Sequence, residues 1–297
     1  MRLVRFVSGS RAVVGVEVAG RVVDLFAAAR RLSGPGAFAE PWEDTTDFLN
    51  QGEPALDAAL EVEEQLRTGR VDGTDLRQVR LLAPVGRPQK IVCVGQNFRD
   101  HCEEQNQPLP ASPILFAKYP TALCDPGAPI LLPPLSRKVD YEAELCVVIG
   151  RQGRFIPEER AYDYVAGYTC LNDVSARDIQ KADGQWVRAK SFDTFAPLGP
   201  ALVTRDEIQD PQSLEIATYL NGERMQHSNT RNLIFTVPYL VSYISQVCTL
   251  CPGDLISTGT PGGVGVFRDP PVFLKEGDTV SISIGQVGTL SNPVVAA

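Results

Sequence analysis

The first 25 residues alternate apolar and polar positions between turn residues, in three runs: Leu3 to Val7, Ala12 to Val18, and Arg21 to Leu25. A period of two marks a strand with one buried face, so this stretch predicts a small antiparallel β-meander. A polar stretch bearing Pro and Gly follows. From Pro54 to Leu66 the spacing turns helical, with Leu56, Ala59, Leu60 and Leu66 recurring and Pro54 suited to a first helical turn. Gly73, Pro84, Gly86 and Pro88 then break the pattern, which reads as a link.

Beyond residue 90 short apolar runs dominate: Ile91–Val94, Ile114–Ala117, Glu144–Ile149, Val165–Leu171, Ala201–Thr204, Glu215–Leu220, Asp254–Ser257 and Val280–Ile284. Helical spacing interrupts them chiefly at Ser175–Ala182 and Leu233–Val247. The expectation is a small α+β N-terminal domain over 1–85, and a mainly β catalytic domain with some α over 86–297.

The run from Glu144 to Ile149 carries a polar approach, Asp140-Tyr141-Glu142-Ala143-Glu144. In a strand Glu142 and Glu144 share a face, and like charges so placed repel unless something positive lies between them. Asp173 ends the next strand-like run. Three hard oxygen donors suit Mg²⁺ or Mn²⁺, with Ca²⁺ as a further option; a solvated strand face is the plain alternative for the glutamates. The whole chain has only two histidines, His101 and His227, which disfavours a multi-histidine metal centre. His227 follows the Asn221-Gly222 turn of a predicted hairpin and is expected to be exposed.

His101 and Glu104 lie three apart, so one helical turn sets them side by side, and a carboxylate beside an imidazole suits a general base. An incidental surface pair is the alternative. Lys190 stands alone in the aromatic, proline-bearing loop from Trp186 to Pro200, where it would balance carboxylates or hold an anion. The loop Ser257 to Gly265 is glycine-rich but lacks both nucleotide-binding signatures, so its N–H groups are read as donors to a carboxylate.

The totals narrow the partners. In 297 residues, 43% hydrophobic and 22% charged, the net charge is −8, which argues against nucleic acid. No apolar run approaches the roughly 18 residues of a membrane helix, and Arg5, Arg11, Glu17 and Arg21 interrupt any leader-like segment. Seven cysteines at irregular spacing do not form a disulfide framework, and Cys248-x-x-Cys251 without a second pair falls short of a zinc site. A reduced, cytoplasmic protein is expected.

Five motifs in order, around Asn97-Phe98-x-x-His101-x-x-Glu104, Asp140-Tyr141-Glu142-x-Glu144-Leu145, Asn172-Asp173-Val174-Ser175-Ala176-Arg177-Asp178, Lys190-Ser191-Phe192-Asp193-Thr194-Phe195 and Thr258-Gly259-Thr260-Pro261, resemble the fumarylacetoacetate hydrolase family. The likeness covers about 90 to 297, and the run after His101 looks nearest to the branch of fumarylacetoacetate hydrolase domain-containing protein 2. The resemblance implies a mixed β-sandwich roll, a homodimer, and Mg²⁺ or a similar cation held by Glu142, Glu144 and Asp173. It places His101 and Glu104 on a mobile lid, makes Lys190 a catalytic contact of the bound oxygens, and assigns Arg177, Gln180, Thr260 and Lys118 to substrate binding. Gln96 departs from the Arg of acylpyruvase-like members and the Tyr of the founding hydrolase. The implied activity is cleavage of a C–C bond in an acylpyruvate-type 2-oxo acid by way of a chelated enolate. Oxaloacetate decarboxylation and isomerisation of a hydroxymuconate-type dienol are the alternatives, and a non-enzymatic scaffold is disfavoured.

Overall fold

The computed structural model describes residues 1–34 and 36–297. The chain begins with the expected meander, β1 (Arg2–Ser8), β2 (Arg11–Val18) and β3 (Arg21–Asp24). Asp24 then caps α1 (Leu25–Ser33) by accepting from the Ala27 N–H at 3.0 Å. This helix lies where the sequence reads as the end of a strand and a polar stretch, although the capping aspartate and the helical spacing of Leu25, Ala28 and Ala29 signal it. Next, α2 (Glu53–Arg67) coincides with the predicted helix.

Most later strands also fall where the apolar runs place them: β4 (Ile91–Gly95), β5 (Ile114–Lys118), β6 (Ala143–Ile149), β7 (Val165–Asn172) and β8 (Ala196–Thr204). β9 (Glu215–Leu220) and β10 (Glu223–Asn229) form the hairpin that Asn221-Gly222 announces. β11 (Leu255–Ser257), β12 (Thr279–Ile284) and β13 (Gly288–Ala296) complete the main strands.

Four helices lie between them. They are α3 (Arg99–Glu104), α4 (Arg177–Asp183), α5 (Val187–Lys190) and α6 (Val237–Val247). The last begins four residues later than its spacing predicts. Thr236 takes the cap, Pro238 occupies the first turn, and Leu233 stays outside. Lys190 sits on a single helical turn rather than in a loop, and β8 starts at Ala196, inside the predicted loop. Gly199 and Pro200 within β8 hid its first half, because proline reads against a central strand.

A twelve-stranded sheet carries the order β3-β2-β1-β8-β7-β6-β11-β4-β5 along its main path, so the N-terminal meander continues the large sheet through β1 and β8. A five-stranded sheet, in which β10-β9-β12-β13 are neighbours, packs against one of its faces. The central strand β6 is buried along its whole length. Leu145, Val147 and Ile149 point into the core shared with the five-stranded sheet and α6. Cys146 and Val148 point into a second core, capped by Leu25 and Ala28 of α1 and by Ala59 and Val62 of α2. Two buried faces explain a run without alternation. All seven cysteines are free, and no described helix is long and apolar enough to cross a membrane.

Candidate active site

β6 and β7 run antiparallel with Ala143 opposite Asn172 and Glu144 opposite Leu171. That register brings the residues before β6 against the residue after β7, and the Asp173 N–H donates to the Glu142 carbonyl at 2.9 Å. Glu142, Glu144 and Asp173 each offer a carboxylate oxygen, all within 4.8 Å of one another, and all three residues are buried. The alternative of a solvated strand face is thereby removed.

Three cationic side chains share the charge. Lys190 Nζ lies 2.8 Å from Glu142 Oε2 and 2.7 Å from Asp173 Oδ2. Arg177 Nη2 is 2.6 Å from Glu142 Oε1, and its Nε donates to Asp140 Oδ2 at 2.8 Å. Lys118 Nζ donates to Asp173 Oδ1 at 2.6 Å and to the Val174 carbonyl at 3.2 Å. Burial opposes charge on Glu142, yet Lys190 and Arg177 outweigh it and hold its carboxyl down at about 2. For Glu144 burial wins, reinforced by the charges of Asp173 and Glu142, and its carboxyl is pushed well above the usual range. Glu144 Oε2 accepts from Ser257 Oγ at 2.5 Å and from the Gly259 N–H at 2.9 Å, leaving Oε1 without a protein partner among the described residues. A buried, repelled carboxylate with a free oxygen, beside two others, is a donor set that fits a hard divalent cation.

Above the triad lies a cavity of about 420 Å³. Its lining includes Glu142, Glu144, Lys190, Arg177, Gln180, Thr260, His101, Gln96 and Lys181, with Phe116, Trp186 and Phe267 as apolar walls. Asp173 is fully buried beneath it. Lys118, expected to touch substrate, is absent from the lining; it is 1% exposed and stands behind Asp173 as a counter-charge. His227 is exposed at the hairpin, paired with Glu215, as its position after Asn-Gly suggests.

His101 reaches the cavity on α3. Its Nδ1 lies 2.8 Å from Glu104 Oε1, and Glu104 Oε2 accepts from the Gly263 N–H at 2.7 Å. Although most side chains of α3 are polar, it is packed down. Phe98 and Cys102 are fully buried, Asp100 accepts from Ser228, and His101 is only 7% exposed. Asn97 anchors its base, donating to the Thr258 carbonyl at 2.8 Å and accepting from the Phe235 N–H at 2.8 Å.

Two residues that sequence reasoning passed over also build the site. Asp140 accepts from the N–H groups of Gly265 and Val266 at 2.8 and 3.0 Å while binding Arg177, so it joins the glycine-rich loop to the triad. Gln226 of β10 is 1% exposed and donates to Thr260 Oγ1. The signal for Asp140 lay in its own motif; Gln226, within an ordinary-looking hairpin, carried none that spacing reveals.

The profile of the family described as Fumarylacetoacetate (FAA) hydrolase C-terminal matches residues 90–295. The chain is 50% identical over 251 residues to "Oxaloacetate tautomerase FAHD2B, mitochondrial" of Bos taurus, covering 84% of this chain and 79% of that one. Fumarylacetoacetate hydrolase from psychrophilic Exiguobacterium antarcticum superposes with a TM-score of 0.85 at 36% identity, covering 100% of both chains. Maleylpyruvate hydrolase from Sphingobium sp. SYK-6, solved in complex with manganese (II) ion and pyruvate, gives a TM-score of 0.80 at 32% identity, again over 100% of both chains. The bovine relative is named as mitochondrial, a compartment other than the cytoplasm expected here. With the profile spanning the strands and loops that converge on the triad, the chain belongs to the fumarylacetoacetate hydrolase family, as an enzyme of its domain-containing protein 2 branch.

Proposed function

We propose that this protein is a divalent-cation-dependent tautomerase that interconverts the enol and keto forms of a small 2-oxo dicarboxylate, with oxaloacetate as the substrate to test first. The carrying observation is one cavity that joins a single imidazole, backed by Glu104, to a buried carboxylate triad and a buried lysine. The name of the bovine relative points to the same chemistry, and so favours proton transfer over the C–C hydrolysis that the motifs put first.

Glu142, Glu144 and Asp173 would hold Mg²⁺ or Mn²⁺, which when bound supplies Lewis acidity toward the 2-oxo oxygen and its neighbouring carboxylate. Thr260 donates to that carboxylate. Lys190 is kept cationic because Asp173 and Glu142 outweigh the burial that opposes its charge, so it stabilises negative charge growing on the 2-oxygen. A carboxylate accepts, so His101 Nδ1 donates to Glu104 and Nε2 presents its lone pair. Nε2 takes the proton from the 2-hydroxyl as the O–H bond breaks, and returns it to C3 as the C=C pair forms the new C–H bond. The homodimer implied by the resemblance belongs to this reading.

A second reading rests on size. The cavity falls within the ~300–1,000 Å³ range of pockets for drug-sized ligands, and oxaloacetate has only nine heavy atoms. An acylpyruvate would fill it better, with His101 activating water instead. Ultraviolet absorbance of enol-oxaloacetate, followed with Mg²⁺ and with Mn²⁺ beside assays for carbon dioxide release and acylpyruvate cleavage, separates the readings. The expected result is faster keto–enol interconversion, lost on chelation. Acylpyruvate cleavage with no effect on tautomerisation would make the protein a hydrolase.

A further inference from the structure

Gln226 lies outside the cavity, yet its side chain is fully engaged. Oε1 accepts from the Ala143 N–H at 2.9 Å and from Thr218 Oγ1 at 2.6 Å, and Nε2 donates to Thr260 Oγ1 and the Pro261 carbonyl, both at 2.8 Å. The amide cannot be reversed. A backbone N–H only donates and a backbone carbonyl only accepts, so Ala143 fixes the oxygen and Pro261 fixes the nitrogen. Thr260 Oγ1 must therefore receive a proton from Gln226, and its own hydroxyl proton has to point elsewhere. Among the described residues no protein acceptor meets that proton, and Thr260 lines the cavity. The glycine-rich loop is also pressed onto this strand: a Cβ at Gly263 would come 2.4 Å from the Met225 carbonyl and 3.3 Å from Gln226 Cα.

We propose that Gln226 is a positioning residue that makes Thr260 an obligatory hydrogen-bond donor toward the substrate's carboxylate. The same amide ties that donor to Ala143, the residue between Glu142 and Glu144. Substrate carboxylate and cation ligands are thus registered through one buried side chain. The inference rests on the substrate-binding role given to Thr260 in the proposed function.

Pyruvate is the probe, its binding measured by calorimetry on the Mg²⁺-loaded protein. Thr260→Val should weaken it by about tenfold or more, as expected for losing a hydrogen bond to a charged group. Gln226→Glu, whose carboxylate offers only acceptors where the amide nitrogen stood once the pH is high enough to ionise it, should then draw the Thr260 proton inward and give a comparable loss. In the Thr260→Val background the same change should do little further, whereas a loss by added negative charge or general loosening would persist there. Wild-type binding by Gln226→Glu beside a weak Thr260→Val overturns the inference alone. Wild-type binding by Thr260→Val overturns the role of Thr260 and the inference with it. Should Gln226→Glu not fold, the Gln226 side-chain amide resonances of the wild-type protein decide. Polarisation along the hydrogen-bonded chain shifts them when pyruvate binds, and resonances that stay still contradict the proposal.

Discussion

Glu144 reaches the cavity with one oxygen held by Ser257 and Gly259 and the other without a protein partner among the described residues. Its charge is disfavoured by burial first and then by Asp173 and Glu142. Glu144→Gln keeps an oxygen for the Ser257 and Gly259 donors while removing that charge. The expected outcome has two opposite parts: Mn²⁺ affinity, read by electron paramagnetic resonance, falls by at least about tenfold, and the chelated variant melts above the chelated wild type. The second part follows because a buried charge without a counter-ion costs several kcal/mol. A variant that melts lower and still holds Mn²⁺ would remove Glu144 from the cation site.

At the scale of elements, α3 is the piece that brings a base to the triad, and its hold on the site runs through Glu104 to Gly263. Glu104→Gln leaves the packing of Phe98 and Cys102 intact but replaces the acceptor that fixes the imidazole. Turnover should fall at least about tenfold, a fraction of the roughly 10²–10⁴ that a positioned base contributes in full, with Mg²⁺ affinity unchanged by calorimetry. Parallel losses in both would make the residue structural. Glu142 with Glu144 and His101 with Glu104 were legible because each pair sits two or three positions apart, where strand and helix periods bring them together; Asp173, 29 positions after Glu144, joins them through the pairing of β6 with β7. The pairing of Lys118 with Asp173 was not legible because it depends on β5, an edge strand that only the fold brings behind the triad. Gln226 was invisible for a similar reason: its partners Ala143 and Thr260 come from elements that only the tertiary fold juxtaposes. The first half of β8 went unread because an internal proline is a contrary local signal, and the first helix because its spacing follows directly on the β3 alternation, with no turn residue between.

For the whole molecule, the segment before residue 86 contributes β1, β2 and β3 to the large sheet and lays α1 and α2 over one face of its central strands. We propose that 86–297 folds only together with 1–85. A 86–297 fragment would expose the edge of β8 and apolar residues such as Cys146, Val148 and Leu202. Unpaired edges and bare apolar faces favour aggregation. Expressed alone, the fragment should be insoluble or lack a cooperative melting transition; a soluble, cooperatively melting fragment would establish 86–297 as an independent domain.

The pairing of both Asp173 oxygens with lysines, and of both Glu142 oxygens with Lys190 and Arg177, bears on ion selectivity. Every oxygen of these two carboxylates already accepts from an ammonium or guanidinium, so a metal meets only remaining lone pairs, in directions the cations fix, rather than an open two-toothed carboxylate. Ca²⁺ takes six to eight oxygens and commonly draws carboxylates in two-toothed fashion, whereas Mg²⁺ is content with one oxygen from each of a few carboxylates and fills its octahedron with water. We therefore propose that the same cations that let the carboxylates be buried disfavour the larger ion: by calorimetry Ca²⁺ should bind more weakly than Mg²⁺ or Mn²⁺, and equal or tighter Ca²⁺ binding would overturn this.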